Sequence, residues 1–265
     1  MLQKAIKASL IAGQEILNVY NSSDFGVETK EDNSPLTRAD KAAHDAIVAQ
    51  LEDTGLPIFS EEGGKIPFEE RKDWGPYWLV DPLDGTKEFI KRNGDFTVNI
   101  ALIESGKPIM GIVYVPVTDT LYFAEEGKGA WLREKAGEGD RGQDKKLEAH
   151  APKDKKISIV ASRSHLNEDT AAFIKRMEDK GYIVETTSRG SSLKLCQVAE
   201  GKAQLYPRLG PTMEWDTAAA HGVCREAGAA VIDFETKEEM KYNRENLLNN
   251  YFLVYPKDWN ENFYE

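Results

Sequence analysis

An apolar run of strand character at residues 77–80 ends in two aspartates, Asp81 and Asp84, with only proline and leucine between them. Charged carboxylates at the end of a buried strand are costly unless something compensates the charge. Pro82 removes a backbone donor and stops strand pairing, and Asp84 with Gly85 has the composition of a turn. The two acids therefore either cap this turn or converge on a hard divalent cation, which prefers carboxylate oxygens.

A short helix is expected directly after the turn, in the sequence TKEFIKR. The start of such a helix offers free backbone N–H groups and the positive end of a helix dipole, which suit a phosphate group. Metal-binding acids beside a phosphate-binding turn indicate phosphoryl-group chemistry.

Three further acidic positions have ordinary alternatives. Glu61 and a second glutamate follow a short expected strand, where they could form a solvated turn. Asp216 lies at the entry of an alanine-rich helix, whose dipole an acid favours. Asp40 stands three residues after Thr37, which is the spacing of a capping box at a helix N-terminus. Each of these acids is ambiguous when it is considered alone.

Hydrophobic patterning divides the chain into two halves. In the first half, two amphipathic helices accompany several strands and a hairpin at SGK, which predicts helices against a largely antiparallel sheet. In the second half, strand and helix patterns alternate as in α/β proteins. Residues 133–156 are charged and are expected to form an exposed connection. We therefore predict an α+β half at residues 1–150 and an α/β half at residues 151–265, joined in a layered α+β sandwich.

Composition argues against several classes of function. A net charge of −11 over 265 residues, without a basic run, argues against a nucleic-acid partner. Four histidines and two cysteines leave little room for a zinc cage or a disulfide framework, so Cys196 and Cys224 are expected to be reduced core thiols. Charged residues interrupt the N-terminal helix, which predicts neither a signal peptide nor a membrane span. We expect a cytoplasmic location, with at most a peripheral association at the inner face of the membrane, and no obligatory protein partner.

The order of the acids along the chain is specific. Asp40, the pair at Glu61, DPLDGT at residues 81–86 and WDTAA at residues 215–219 follow one another as D…EE…DPxDGT…WDxAA. This order resembles the lithium-sensitive, magnesium-dependent phosphatase superfamily of inositol monophosphatases, fructose-1,6-bisphosphatases and 3′(2′),5′-bisphosphate nucleotidases. The segments DGTKEF, GSSLK and GPTMEWDTAAAHG look most like the bacterial nucleotidases of the CysQ type. The resemblance covers essentially the whole chain and implies that superfamily's layered α/β/α/β/α sandwich.

The resemblance also implies a role for each acid. Two or three Mg²⁺ ions per site are expected, with Asp81 shared between two of them. Asp40 and Thr86, with Glu61 nearby, would help a metal-activated water to attack phosphorus in line, without a covalent enzyme intermediate. The implied metal ligands are Glu61, Asp81, the carbonyl of Leu83, Asp84 and Asp216. The backbone N–H groups of Gly85 and Thr86 are expected to donate hydrogen bonds to the phosphate that is hydrolysed.

A substrate with two phosphates needs a second anion site away from the metals. The sequence GSSLK offers Ser191, Ser192 and Lys194 at the start of a helix for a 5′-phosphate, and Arg208 and His165 are further candidates. The implied activity is removal of the 3′-phosphate of adenosine 3′,5′-bisphosphate, giving AMP and phosphate, in sulfate assimilation. The alternatives are an inositol monophosphatase or broad sugar phosphatase with the same metal site, and a non-catalytic nucleotide-binding regulator.

Overall fold

The computed structural model describes residues 1–22, 26, 28, 29, 35–138, 143–162 and 167–264. Within these residues the α-helices are α1 (Leu2–Tyr20), α2 (Arg38–Leu51), α3 (Phe68–Arg71), α4 (Thr86–Ile90), α5 (Glu168–Asp179), α6 (Leu193–Ala199) and α7 (Glu214–Glu226). The strands are β1 (Glu28–Thr29), β2 (Pro35–Leu36), β3 (Ile58–Ser60), β4 (Tyr77–Asp84), β5 (Thr97–Glu104), β6 (Lys107–Val115), β7 (Thr120–Glu125), β8 (Ala130–Glu134), β9 (Lys145–Leu147), β10 (Lys156–Ser162), β11 (Ile183–Arg189), β12 (Tyr206–Arg208), β13 (Ala229–Asp233) and β14 (Phe252–Pro256). No helix in this part of the chain is long and apolar enough to cross a membrane.

The largest sheet has seven strands, in the order β3-β4-β5-β6-β7-β8-β9. In this sheet β3 pairs with β4 in parallel, and the other neighbouring pairs are antiparallel. The largely antiparallel sheet predicted for the first half is therefore confirmed. The predicted hairpin joins β5 to β6 through Ser105 and Gly106, whose φ angles are +51° and +73°. Two positive φ angles in a two-residue loop match the twist of the flanking strands.

The helices and sheets form layers. Helices α1 and α2 pack on one face of the seven-stranded sheet, and α7, with α6 beside it, packs on the other face. Beyond α6 and α7 lies a three-stranded sheet in the order β12-β14-β13, and α5 packs against β11 and β12. Three clusters of buried apolar side chains fill the spaces between these layers. This arrangement confirms the layered α+β sandwich.

The second half departs from a simple α/β pattern. Strands β10 and β11 are parallel, as the alternation of strand and helix predicts. Strands β12, β13 and β14 are antiparallel instead, because β14 from the end of the chain inserts between the other two. The sequence pattern did not reveal this insertion, since the choice of neighbour depends on contacts between distant segments.

Part of the predicted connection at residues 133–156 belongs to the large sheet. Strand β9 pairs with β8 at the edge of that sheet, and its Leu147 is buried in the core. Two of the three residues of β9 are exposed lysines, which is why the segment looks like a solvated linker by composition. The division of the chain at about residue 150 stays a prediction.

Helix α7 approaches the large sheet closely where Gly111 of β6 faces Gly222. A Cβ atom added at Gly111 would lie 2.0 Å from the carbonyl oxygen of Ala219. The missing side chains let the two backbones meet directly, which fixes the height of α7 above the sheet. Since the first turn of α7 carries Asp216, this contact also positions a candidate site residue.

We expect Gly111→Ala to lower the free energy of unfolding by about 1–3 kcal/mol, because the added methyl group overpacks the contact with α7. Thermal unfolding followed by circular dichroism measures the change. Gly75→Ala is the matched control, since a Cβ atom there would meet nothing within 4 Å. Equal losses in the two variants would contradict the proposed role of the close approach.

Candidate active site

Three of the implied metal ligands converge, although they lie far apart in the sequence. Glu61 directly follows β3, Asp81 lies in β4 and Asp216 lies in the first turn of α7. Ligand oxygens of these three carboxylates all lie within 4.8 Å of one another. Strands β3 and β4 are adjacent and parallel, and the Glu61 N–H donates to the carbonyl of Val80 at 3.0 Å. The large sheet therefore brings two of the acids together, and the helix packed on it adds the third.

The acid cluster is electrostatically unfavourable by itself. Asp81 is only 1% exposed, and burial raises its pKa well above the usual carboxyl range. The charges of neighbouring carboxylates raise this pKa further; in order of effect they belong to Glu61, Asp84, Asp216 and Asp40. Burial also raises the pKa of Asp216, and the charges of Asp84 and Glu61 add to that effect. A positive charge placed among these acids would relieve the repulsion.

The donor set fits a hard divalent cation. The three converging side chains are carboxylates, without a histidine or cysteine among them. Hard cations such as Mg²⁺ prefer oxygen ligands, and these carboxylate oxygens lie within 4.8 Å of one another, so small side-chain adjustments would let them share one ion. The carbonyl of Leu83 follows in the same strand, and the Leu83 N–H donates to Asp81 Oδ1 at 3.0 Å. The residues present therefore fit a metal of the kind that the sequence implies.

Asp84, at the end of β4, is held by residues from the second half of the chain. Its Oδ2 accepts hydrogen bonds from the Ser191 hydroxyl at 2.5 Å and from the Ser192 N–H at 2.7 Å. The side-chain amide of Asn99 donates to the same oxygen at 3.4 Å. The expectation that Pro82 ends the strand pairing was wrong, because β4 continues to Asp84, which pairs with Thr97 of β5. The register instead shifts between Asp81 and Asp84, a kind of irregularity that often re-aims side chains beside active sites. The two serines thus orient an implied metal ligand.

Asp40 has a different partner on each carboxylate oxygen. Its Oδ2 accepts hydrogen bonds from the backbone N–H and the hydroxyl of Thr37, at 2.7 and 2.6 Å, which confirms the predicted capping box. Its Oδ1 accepts a hydrogen bond from the Thr86 hydroxyl at 3.2 Å. The same side chain caps α2 and contacts Thr86, so its capping role is compatible with the catalytic role that the resemblance implies, which stays a prediction.

A cleft of about 400 Å³ opens beside the acids, and Asp84, Gly85 and Asp216 line it. Gly85 has a φ angle of +95°, which lets the chain turn sharply from β4 into α4. Cationic side chains also line the cleft; among the described residues they are Lys87, Lys91, Arg189, Lys194 and Arg208. An acidic protein therefore presents a cleft in which acids and cations lie together, and such a cleft suits an anionic ligand bound with a metal.

Lys194 is the buried member of this cationic set. Its Nζ donates a hydrogen bond to the carbonyl of Ser191 at 2.6 Å. Burial lowers the pKa of Lys194 to about 8, and the charge of Asp84 acts in the opposite direction. The side chain is thus mostly protonated at neutral pH, and a bound anion would compensate its buried charge.

Of the two other implied substrate contacts, Arg208 is among the described residues and His165 is not. Arg208 lines the cleft, and its Nη2 donates to the carbonyl of Pro211 at 2.7 Å. His165 lies outside the described residues, so its role stays a prediction from the sequence.

Two polar residues of β5 belong to the site but were missed in the sequence. The Thr97 hydroxyl lies 2.6 Å from Ser191 Oγ and 2.9 Å from Ser192 Oγ. The Ser192 hydroxyl donates to Asn99 Oδ1 at 2.8 Å. Thr97 and Asn99 are both buried in an otherwise apolar strand. Their spacing of two residues puts them on one face of that strand, which was the available signal.

Comparison with known proteins gives the family. The family model for the inositol monophosphatase family matches residues 1–264, and the chain belongs to that family. The 3′(2′),5′-bisphosphate nucleotidase CysQ of Salmonella typhimurium is 46% identical over 257 residues, which cover 96% of this chain and 99% of the relative. The nucleotidase of the same name from Escherichia coli strain K12 is 48% identical over 257 residues, with the same two coverages.

A solved structure supports the same relationship. The crystal structure of CysQ from Bacteroides thetaiotaomicron, a bacterial member of the inositol monophosphatase family, matches with a TM-score of 0.86 at 47% identity. The match covers 97% of both chains. The family and fold that the order of the acids implied are therefore confirmed.

We expect Asp81→Asn to raise the free energy of unfolding by roughly 1–2 kcal/mol in EDTA at pH 7, because the amide never has to carry an unfavourable buried charge or retain a proton to avoid it. The raised pKa means that the folded state keeps a proton which the unfolded chain releases above about pH 4. The stability advantage of the variant should therefore grow as the pH rises from about 4 to 7. Added Mg²⁺ should stabilise the parental protein more than the variant. Calorimetric unfolding scans with and without Mg²⁺ measure both effects.

Asp233→Asn is the control for a buried aspartate outside the cluster. The Asp233 carboxylate accepts N–H hydrogen bonds from Glu235 at 2.8 Å and Thr236 at 3.0 Å, so its loss should destabilise the protein. The stabilisation by Mg²⁺ should stay unchanged in this control. A loss of stability in Asp81→Asn as large as that of the control, in EDTA, would show that the cluster is not repulsive.

Proposed function

We propose that the protein is a Mg²⁺-dependent phosphomonoesterase that removes the 3′-phosphate of adenosine 3′,5′-bisphosphate, giving AMP and inorganic phosphate. The observation that carries this proposal is that one cleft is lined by two of the implied metal ligands, Asp84 and Asp216, and by the buried Lys194. The acids would bind the metal ions that act on the phosphate to be hydrolysed. The lysine would bind the second phosphate, which stays on the product. A substrate with two phosphates uses both features.

The relatives support the choice of substrate. Both bacterial relatives carry the name 3′(2′),5′-bisphosphate nucleotidase, and each is aligned over 96% of this chain. Sulfate assimilation is the context that the family resemblance implies for this reaction, and a cytoplasmic location agrees with it.

The metal ligands are proposed from the acid cluster and its turn. Two or three Mg²⁺ ions would be held by Glu61, Asp81, the Leu83 carbonyl, Asp84 and Asp216. When bound, the ions would lower the pKa of a water molecule and stabilise negative charge on the phosphoryl and leaving oxygens. The backbone N–H groups of Gly85 and Thr86 would orient the phosphate that is hydrolysed.

Asp40 and Thr86 would manage the proton of the attacking water. The Thr86 hydroxyl donates to Asp40 Oδ1 at 3.2 Å, with the Leu83 carbonyl as a longer acceptor at 3.4 Å, so its lone pairs are available to accept a hydrogen bond from water. As Thr86 takes the proton of the attacking water, its own proton would pass to Asp40. The capping bonds to Thr37 fix the orientation of the Asp40 carboxylate in advance. As the water oxygen forms its bond to phosphorus, the bond from phosphorus to the ribose 3′-oxygen would break, and that oxygen would take up a proton from solvent while Asp40 later returns its proton to solvent.

Lys194 would recognise the 5′-phosphate, with Arg208 as a second cation. The hydroxyls of Ser191 and Ser192 already donate to Asp84 and Asn99. The two serines would therefore connect the proposed phosphate-binding segment to Asp84. Lys194 would supply most of the positive charge that attracts the 5′-phosphate.

We expect Mg²⁺-dependent phosphate release from adenosine 3′,5′-bisphosphate with a kcat/KM roughly 100-fold above that for inositol 1-phosphate or fructose 1,6-bisphosphate. A coupled phosphate assay on the full chain measures all three substrates. Equal turnover of the sugar phosphates would support the broad sugar phosphatase instead. Binding of the nucleotide without turnover would support the regulator.

Lys194→Ala should lower kcat/KM for the nucleotide by about 100-fold, since a buried charge pair with the 5′-phosphate is lost. Hydrolysis of inositol 1-phosphate, which lacks a second phosphate, should change by less than about threefold. Lys202→Ala is the control, because that exposed lysine pairs with Glu200 outside the cleft. An equal loss on both substrates would remove Lys194 from the second phosphate site.

A further inference from the structure

The segment at residues 243–249, here called the clasp, is irregular in backbone but rich in hydrogen bonds. Apart from an isolated bridge between Leu248 and Met213, it forms no helix or strand. Asn243 has a φ angle of +66°, in the left-handed region that non-glycine residues rarely adopt. A backbone in such a conformation persists only when surrounding interactions stabilise it. For the clasp, hydrogen bonds to the start of α7 provide this stabilisation.

The clasp holds α7 through Glu214, whose side chain is fully buried. The Glu214 carboxylate accepts hydrogen bonds from the backbone N–H groups of Asn243 at 2.8 Å and Arg244 at 3.0 Å. The Nε of Arg244 donates to it as well, at 3.1 Å. Glu214 stands two positions before Asp216, so these bonds fix the helical turn that carries a proposed metal ligand.

A second set of bonds joins the clasp to the residues just before α7. The Asn249 side chain donates to the carbonyl of Met213 at 2.8 Å, and its backbone N–H donates to the carbonyl of Thr212 at 2.8 Å. The Glu214 N–H donates to the carbonyl of Leu247 at 3.0 Å. The first turn of α7 is therefore held at both its backbone and its side chains.

The other side of the clasp is held by Arg71 of α3, which is 2% exposed. Its guanidinium donates to Asn243 Oδ1 and to the carbonyl of Arg244, each at 2.8 Å. The side-chain NH₂ group of Asn243 donates a hydrogen bond to the backbone carbonyl of Arg71 at 2.7 Å. The same guanidinium lies 5.3 Å from the ring centre of Phe59, two positions before Glu61. One chain of buried contacts thus runs from the neighbourhood of Glu61 to that of Asp216.

We propose that the clasp sets the separation between Glu61 and Asp216, and thereby the affinity of the site for a divalent cation. This inference rests on the metal site of the proposed function. The two carboxylates repel each other and come from elements far apart in the sequence, so a rigid connection is needed to hold them within reach of one ion. In this role Glu214, Arg244 and Arg71 are positioning residues.

Two substitutions separate positioning from simple charge effects. Glu214→Gln removes a negative charge and weakens the clasp, so both effects lower the affinity for a cation. Arg244→Gln removes a positive charge, which by charge alone would raise the affinity for a cation. The clasp predicts the opposite, because the substitution also removes the bonds from this side chain to Glu214 and Asn249. Arg244→Gln is therefore the decisive variant.

The test measures Mn²⁺ binding to the full chain after treatment with EDTA, from the electron paramagnetic resonance signal of free Mn²⁺. We expect the dissociation constant to rise about tenfold in Glu214→Gln and in Arg244→Gln. The Mg²⁺ concentration for half-maximal phosphate release should rise in parallel, with kcat at saturating Mg²⁺ within about twofold of the parental value.

Glu226→Gln is the matched control, with the same chemical change at the far end of the same helix. The Glu226 carboxylate accepts a hydrogen bond from the Gly129 N–H at 3.0 Å, away from the clasp, so Mn²⁺ affinity should stay unchanged. Unchanged or tighter Mn²⁺ binding in Arg244→Gln would overturn the proposed role of the clasp, while the proposed metal site would stand. A parental protein that binds no Mn²⁺ would overturn the metal site as well. If Glu214→Gln fails to fold, Arg244→Gln decides, because it keeps both backbone donors to Glu214.

Discussion

Several buried carboxylates repel one another at the candidate active site, and the surrounding fold counteracts this repulsion. Asp81 is almost completely buried, and the charges around it raise its pKa. Without outside help the acids would separate or take up protons, so the fold must hold them together. It does so by placing Glu61 and Asp81 on adjacent parallel strands and by pressing α7 onto the sheet where Gly111 allows close contact. Stability elsewhere offsets the cost of an arrangement that a divalent cation would make favourable.

Several side chains at the site both stabilise the fold and contact residues with proposed catalytic or metal-binding roles. Asp40 caps α2 with one oxygen and receives the Thr86 hydroxyl with the other. Ser191 and Ser192 belong to the segment proposed to bind the second phosphate, and they donate to Asp84 at the end of β4. The two halves of the chain therefore meet through hydrogen bonds to a proposed metal ligand. The proposed metal site and the proposed second phosphate site are therefore connected through these hydrogen bonds.

The distribution of charge resolves an apparent conflict between an acidic chain and an anionic substrate. The net charge is −11, but one cleft contains a set of cationic side chains, of which Lys194 is buried. Burial weakens the screening of that charge by water and lowers the cost of pairing it with a phosphate. Local placement, more than the total charge, thus decides which ligand the cleft accepts.

Several features were evident from the sequence: the acid-bearing turn after the apolar run of β4, the capping box of Thr37 with Asp40, the hairpin at SGK and the family, through the order of its acids. Each of these depends on residues close together in the chain or on a pattern of types. Three other features were visible only in the folded chain: β14 lies between β12 and β13, Thr97 and Asn99 contact the site, and the clasp is bonded to the start of α7. The contact of Ser192 with Asp84 spans 108 positions, and local propensity carries no information over that distance. Such contacts follow from how whole layers pack, because close packing fixes the relative positions of segments that no short-range interaction relates.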